Sequence, residues 1–96
     1  MSHSHHPLVA SARLDFAEAL FISGRFIDGG TFLSLCHRQG IDIDDTTEYL
    51  IQTFIVCIRC DGHLQFVRPD GIKKYRLDKC HAIAKRLFEH YKTKTQ

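Results

Sequence analysis

No run of apolar residues in this 96-residue sequence approaches the ~20 that a membrane-spanning helix needs, so we expect no membrane partner. The first six residues lack a basic segment leading into an apolar one. We therefore expect no signal peptide and a cytoplasmic protein, or, for a viral chain, one in the host cytoplasm or nucleoid. Proline and glycine are few, with two and six residues, and no unit repeats. With 44% hydrophobic and 25% charged residues, the composition indicates a globular domain and excludes collagen-like, low-complexity and disordered chains.

Catalytic motifs are also missing. The two glycines after Asp28 lack the spacing and the lysine of a phosphate-binding loop. Asp44 and Asp45 are better explained as a helix start than as an acid–base pair. A chain this short leaves little room for both a scaffold and a substrate cleft. We therefore expect no enzyme, no cofactor and no small-molecule substrate.

Charge is divided unevenly along the chain, although the net charge is only +2. Residues 1–62 carry four basic and eight acidic side chains, a net charge of −4. Residues 63–96 carry nine basic and three acidic side chains, a net charge of +6. This asymmetry indicates an anionic partner for the C-terminal third. The alternative is that the two parts neutralise each other across the fold.

The four cysteines are Cys36, Cys57, Cys60 and Cys80. Without a secretory signal, free or metal-bound thiols are favoured over disulfides. The spacing of Cys57, Cys60 and His63 could bind zinc, with Cys80 as a fourth ligand. However, Cys57 and Cys60 lie in an apolar run, where cysteine is typically a small buried hydrophobe. We therefore favour buried thiols and no metal.

Hydrophobic periodicity predicts one domain at 8–92, with mobile tails at 1–7 and 93–96. The first four predicted elements are a helix at 8–22, a strand at 25–27, a helix at 31–39 and a helix from about 45 to 59. A hairpin follows, with strands 63–68 and 72–77 around a turn at 69–71. The last element is a helix at 79–92 capped by Asp78. The third helix has a rival, because residues 53–58 are rich in the β-branched and aromatic residues of strands. Its polar residues keep a helical spacing, and we predict a helix there.

This order of elements resembles a winged helix-turn-helix domain over residues 26–77. Residues 32–41 resemble the first helix and turn of such a unit, with Cys36 in the place of a small residue and Gly40 in the turn before Ile41. Residues 61–77 resemble its wing, with which the short strand would pair. The resemblance implies a small α+β winged helix, in the order helix, short strand, helix, helix, β-hairpin wing and C-terminal helix.

The resemblance also implies a DNA-binding protein, a small regulator of transcription or replication whose third helix enters the major groove of double-stranded DNA. Thr47 and Gln52 would then lie on the recognition helix. The wing would contribute phosphate contacts from four cations, Arg68, Lys73, Lys74 and Arg76. The alternative for these four is an ordinary solvated hairpin face.

Acidic residues at the start of the third helix support a second hypothesis. Recognition helices usually present Arg, Lys, Asn or Gln to base edges, but this helix begins among Asp42, Asp44, Asp45 and Glu48, which would repel phosphates. The second hypothesis is therefore a winged-helix protein–protein interaction module in a larger assembly, without sequence-specific DNA readout.

The apolar stripe of the last helix predicts a homodimer. The stripe ends in Leu87, Phe88 and Tyr91, and one small domain can cover only part of it. Pairing two such helices about a two-fold axis would bury these three side chains. The alternative is that the helix at 8–22 covers the stripe within one chain.

Overall fold

A computed structural model describes residues 7–60, 63–67 and 71–94 of the chain. Over these residues the chain forms four helices and a three-stranded antiparallel sheet, which confirms the predicted α+β class. The elements are α1 (Pro7–Ile22), β1 (Phe26–Asp28), α2 (Gly29–Arg38), α3 (Asp45–Phe54), β2 (Val56–Cys60), β3 (His63–Val67) and α4 (Lys74–Lys94). The sheet order is β1-β2-β3, so β2 is the central strand.

The first helix and the first strand agree with the sequence prediction. Helix α1 begins at Pro7, one residue inside the predicted N-terminal tail, and ends before Gly24. Gly24 has a φ of +82°, and a Cβ there would lie 2.8 Å from the backbone carbonyl oxygen of Arg59. Only glycine combines that left-handed conformation with so close a backbone approach. The turn therefore brings β1 directly against β2.

Aspartate side chains cap α2 and α3. The Thr31 backbone N–H donates to Asp28 Oδ1 at 2.7 Å, and the Thr47 backbone N–H donates to Asp44 Oδ2 at 3.1 Å. Each bond satisfies one of the free N–H groups in the first turn of a helix. Asp28 and Asp44 therefore set where each helix begins.

The prediction that α3 continues to residue 59 is wrong. The helix ends at Phe54, Ile55 is extended, and Val56–Cys60 forms β2. This strand pairs with β1 on one side, Cys57 opposite Ile27, and with β3 on the other, Cys57 opposite Phe66. Backbone hydrogen bonds to both neighbours, together with the β-branched residues of the segment, outweigh the helical spacing of its polar positions.

The predicted hairpin is also shifted along the chain. Its first strand is confirmed as β3, but this strand pairs with β2, from Val56 opposite Val67 to Cys60 opposite His63. The predicted second strand at 72–77 is wrong, because α4 begins at Lys74 and not after Asp78. In α4 the residues 77, 80, 84, 87 and 91 follow helical spacing and pack on the core. The helix extends to residue 94, into the predicted C-terminal tail.

The core lies between the helices and one face of the sheet. Its largest fully buried side chains are Phe21, Phe32, Leu35, Ile51, Ile55 and Leu87. The Phe21 ring contacts Phe32 and Tyr91, with ring centroids 6.1 and 5.9 Å apart. Helix α1 therefore contacts the C-terminal part of α4 within one chain. In the part of the chain that the structure describes, no helix is both long and apolar enough to cross a membrane.

Candidate nucleic-acid interface

The structure moves the predicted wing cations from a hairpin to a helix. Lys73 precedes α4, and Lys74 and Arg76 belong to its first turn. Arg68 lies outside the described residues. The hairpin formed by β2 and β3 therefore lacks these three cations, which lie instead beside α3.

The two predicted contacts on α3 differ in accessibility. Gln52 is exposed, whereas Thr47 is only 1% exposed and packs in the core. The Thr47 hydroxyl donates to Asp44 Oδ1 at 2.7 Å, in addition to the backbone bond of the cap. The prediction that Thr47 contacts DNA is corrected, because its polar group is already used inside the protein.

A groove of about 360 Å³ separates α3 from the start of α4. Its α3 wall is formed by Thr46, Tyr49, Leu50 and Phe54, and its α4 wall by Lys73, Tyr75 and Arg76. The groove therefore brings two of the four predicted wing cations, Lys73 and Arg76, beside exposed residues of α3. The two predicted α3 contacts, Thr47 and Gln52, do not line it. We call this surface the α3–α4 groove.

Three aromatic side chains of the groove were not predicted as site residues. Tyr49, Phe54 and Tyr75 are 64%, 43% and 53% exposed. The sequence prediction placed Phe54 within the third helix and Tyr75 within the second strand of the hairpin. The buried residues of α3 lie at 47 and 51, one turn apart, and this spacing leaves Phe54 at the edge of the groove.

The cations and the rings of the groove lie in contact. The guanidinium carbon of Arg76 is 5.3 Å from the centre of the Tyr75 ring, within the range of a cation–π interaction. Lys74 Nζ lies 3.0 Å from Asp78 Oδ2 one turn further along α4. Arg76 and Lys73 therefore provide the positive charge that lines the groove, and Lys74 adds charge partly offset by Asp78.

Two acidic residues at the start of α3 have polar partners within the molecule. Hydrogen bonds from the Thr47 hydroxyl and then from the Thr47 backbone N–H lower the pKa of Asp44. The Glu48 carboxylate lies 3.4 Å from His37 Nε2 on α2. Asp42 and Asp45 are exposed. The negative charge that faces solvent is thus concentrated at one end of α3, before the aromatic part of the groove.

Cys36, Cys57 and Cys80 are buried thiols, and the side chain of Cys60 lies outside the described part of the structure. Burial is the main cause that raises the pKa of Cys36 to about 12 and of Cys80 to about 11, and it raises the pKa of Cys57 still further. Reactive thiols in proteins have lowered pKa values and partial exposure. Among the described residues, no group of three or more His, Cys, Asp or Glu side chains could hold a metal ion. The candidate zinc ligand His63 is exposed at the hairpin, whereas Cys57 packs in the core.

The three predicted dimer residues are largely covered within one chain. Leu87 is fully buried, and Tyr91 is buried against Phe21 of α1. Phe88 is half-buried, with the guanidinium carbon of Arg59 at 4.2 Å from the centre of its ring. Leu87 and Tyr91 are thus buried within one chain, Tyr91 by α1 as the alternative expected, and the homodimer itself stays a prediction.

Comparison with known proteins gives a short match. No family model and no solved structure matches the chain. The curated relatives are peptide methionine sulfoxide reductases MsrB from three strains of Pseudomonas putida, each 52% identical over 31 residues. The match covers 32% of this chain and 24% of each reductase, so the chain spans about a quarter of the length of these relatives.

Proposed function

We propose that this chain is a small winged-helix DNA-binding protein that acts in the control of transcription or replication. The order of its elements, which is helix, strand, helix, helix, hairpin and helix, supports this proposal. The observation that carries it is the α3–α4 groove, where Lys73 and Arg76 line the same surface as exposed residues of α3. Cations at such a surface suit phosphate groups.

The proposed contacts divide into two kinds. Lys73 and Arg76 neutralise phosphates and position the nucleic acid, a contribution that carries no sequence information. Gln52, exposed on the α3 surface, has the amide donor and acceptor that can hydrogen-bond a base edge. Lys74 would strengthen the general attraction when its contact with Asp78 opens.

The proposed protein acts by binding and not by catalysis. The thiols of Cys36, Cys57 and Cys80 are buried with raised pKa values, unlike the exposed, low-pKa thiols of catalytic cysteines, which supports this proposal. The cytoplasmic location expected from the sequence is part of this proposal. The homodimer is not required, because one α3–α4 groove belongs to one chain.

A titration of fluorescein-labelled mixed-sequence duplex DNA tests the proposal. We expect binding at about 20 mM salt that weakens steeply toward about 300 mM, because the contacts release counterions. Lys73→Glu should weaken this binding and reduce the magnitude of the salt slope by about 1. Lys85→Glu is the matched control, since it makes the same charge change at an exposed position of α4 outside the groove. Absence of binding to any nucleic acid at low salt would refute the proposal.

A protein–protein interaction module is the second candidate function. The exposed carboxylates of Asp42 and Asp45, next to exposed aromatic side chains, favour it. Interfaces between proteins are enriched in aromatic residues at their centre and in polar residues at their rim. Under this function Lys73→Glu would have little effect on partner recovery, and purified complexes would contain protein without nucleic acid.

A further inference from the structure

The α3–α4 groove contains half of the large apolar side chains that the described residues expose. Tyr49, Phe54 and Tyr75 lie there, while Phe16 and Phe26 form a smaller group on a second surface between α1 and β1. Isolated exposed apolar residues are common, but a group of them around one concave surface marks a binding site. The aromatic character of the groove therefore requires a ligand with a flat apolar face.

The rings stand in an arrangement that leaves their surfaces available. Tyr49 and Phe54 contact each other edge to face, with centroids 6.3 Å apart and an interplanar angle of 86°. In this arrangement the edge of one ring covers part of one face of the other. The remaining ring surfaces stay open, since the two side chains are 64% and 43% exposed. Tyr75 faces the groove from the opposite wall, together with Arg76. Nucleobases stack on both aromatic rings and guanidinium planes.

The charge distribution around the groove favours a single nucleic-acid strand over a duplex. A duplex held against α3 would bring two rows of phosphates close to Asp42 and Asp45 at the start of the helix. A single strand has a lower charge density and can follow the side of the groove lined by Lys73 and Arg76. Its unpaired bases then reach the rings, which paired bases inside a duplex cannot do.

We propose that the α3–α4 groove binds single-stranded nucleic acid by stacking unpaired bases on Tyr49, Phe54 and Tyr75. This inference rests on the proposed function and specifies the substrate class of the same site. Lys73 and Arg76 hold the phosphates beside the rings. The contact is tolerant of sequence, because every base has a face that can stack. The protein thus recognises opened or unpaired segments in preference to intact duplex.

Tyrosine fluorescence provides a readout that depends on stacking. The chain has no tryptophan and three tyrosines, of which Tyr49 and Tyr75 line the groove while Tyr91 is buried. We expect an oligothymidylate of roughly 12 nucleotides, a length in the range of single-strand binding sites, to quench most of the emission. Labelled oligothymidylate should bind more tightly than a duplex of equal length at the same salt concentration.

Matched aromatic variants separate stacking from general attraction. Tyr75→Ala should weaken oligothymidylate binding roughly 5- to 150-fold, the range for loss of one base–aromatic stack, and Tyr75→Phe should restore it. Phe26→Ala is the control, because Phe26 is 58% exposed but lies on β1 outside the groove. It should leave the affinity unchanged. Thermal unfolding of each variant verifies that the fold is retained. Tyr49→Ala provides the same test of stacking on the α3 wall of the groove.

The possible results distinguish this inference from the function on which it rests. Tighter binding of the single strand, with loss in Tyr75→Ala and none in Phe26→Ala, supports both. Equal or tighter binding of the duplex, with no effect of Tyr75→Ala, overturns the stacking inference and leaves the proposed DNA-binding function standing. Failure to bind either probe at low salt overturns both and favours a protein partner for the groove.

Discussion

Replacement of Gly29 by alanine tests how α3 is held in place. Gly29 is the first residue of α2, and a Cβ there would overlap the backbone carbonyl oxygens of Ile51 and Ile55 and lie 2.8 Å from the Ile51 carbonyl carbon. Overpacking a close-packed interior costs about 1–3 kcal/mol. We expect the upper end of this range, since no side-chain rotation can relieve a clash between backbone atoms. The gain from a stiffer unfolded chain, about 0.4–1 kcal/mol, offsets only part of it.

The neighbouring glycine provides a control with the same change in composition. A Cβ at Gly30 would lie 3.5 Å from Asp28 Oδ1, an ordinary contact. Gly30→Ala should therefore stabilise the protein by about 0.4–1 kcal/mol, whereas Gly29→Ala should destabilise it by about 2 kcal/mol. For a domain of this size that loss lowers the melting temperature by about 8–16 °C. Urea and thermal unfolding measure both variants. Equal stabilities for the two would refute the close approach of α2 to α3.

Three further predictions concern the cap, the thiols and the core. Because the pKa of Asp44 is lowered by folding, the unfolded state binds the proton more tightly, and stability falls as pH drops through the folded pKa. Asp44→Asn should therefore flatten the acid dependence of stability measured by denaturation curves. The thiols of Cys36, Cys57 and Cys80 should resist a disulfide reagent such as dithiodipyridine until the protein unfolds. Rapid labelling of any of these three thiols in the native protein would contradict their burial. The folded pKa values of Cys36 and Cys80 are raised to about 12 and about 11, so the free energy of unfolding should fall as pH rises above 9.0, the ordinary thiol pKa. Leu87→Ala should cost about 2–5 kcal/mol in urea unfolding, because Leu87 is fully buried within one chain. A cost no larger than that of a substitution at an exposed position would contradict this burial.

Local signals predicted the elements whose boundaries depend on nearby residues. Asp28 and Asp44 are caps because their side chains reach backbone N–H groups three residues ahead. Gly24 ends the first helical segment because it adopts a positive φ. Such features are visible in a single stretch of sequence, and for that reason α1, β1 and the start of α3 could be placed correctly.

The errors arose where distant pairing decides the structure. Residues 56–60 become a strand because β1 and β3 supply hydrogen-bond partners on both sides, which no local pattern reveals. Residues 74–77 alternate like a strand, but Leu77 continues the apolar stripe of α4 by helical spacing and packs on the core. The aromatic groove was missed for the same reason, since Tyr49 and Tyr75 come together only when α4 begins early.

Mapping of backbone amide chemical shifts during a titration with oligothymidylate locates directly where a single strand binds the protein. The isotope-labelled protein reports each amide separately, so the binding surface is located without any substitution. We expect the largest shifts at residues 46–54 and 71–76, the segments that contain the two walls of the α3–α4 groove. Shifts concentrated around Phe16 and Phe26, or on the opposite face around His81 and Lys85, or no shifts at low salt, would contradict this expectation.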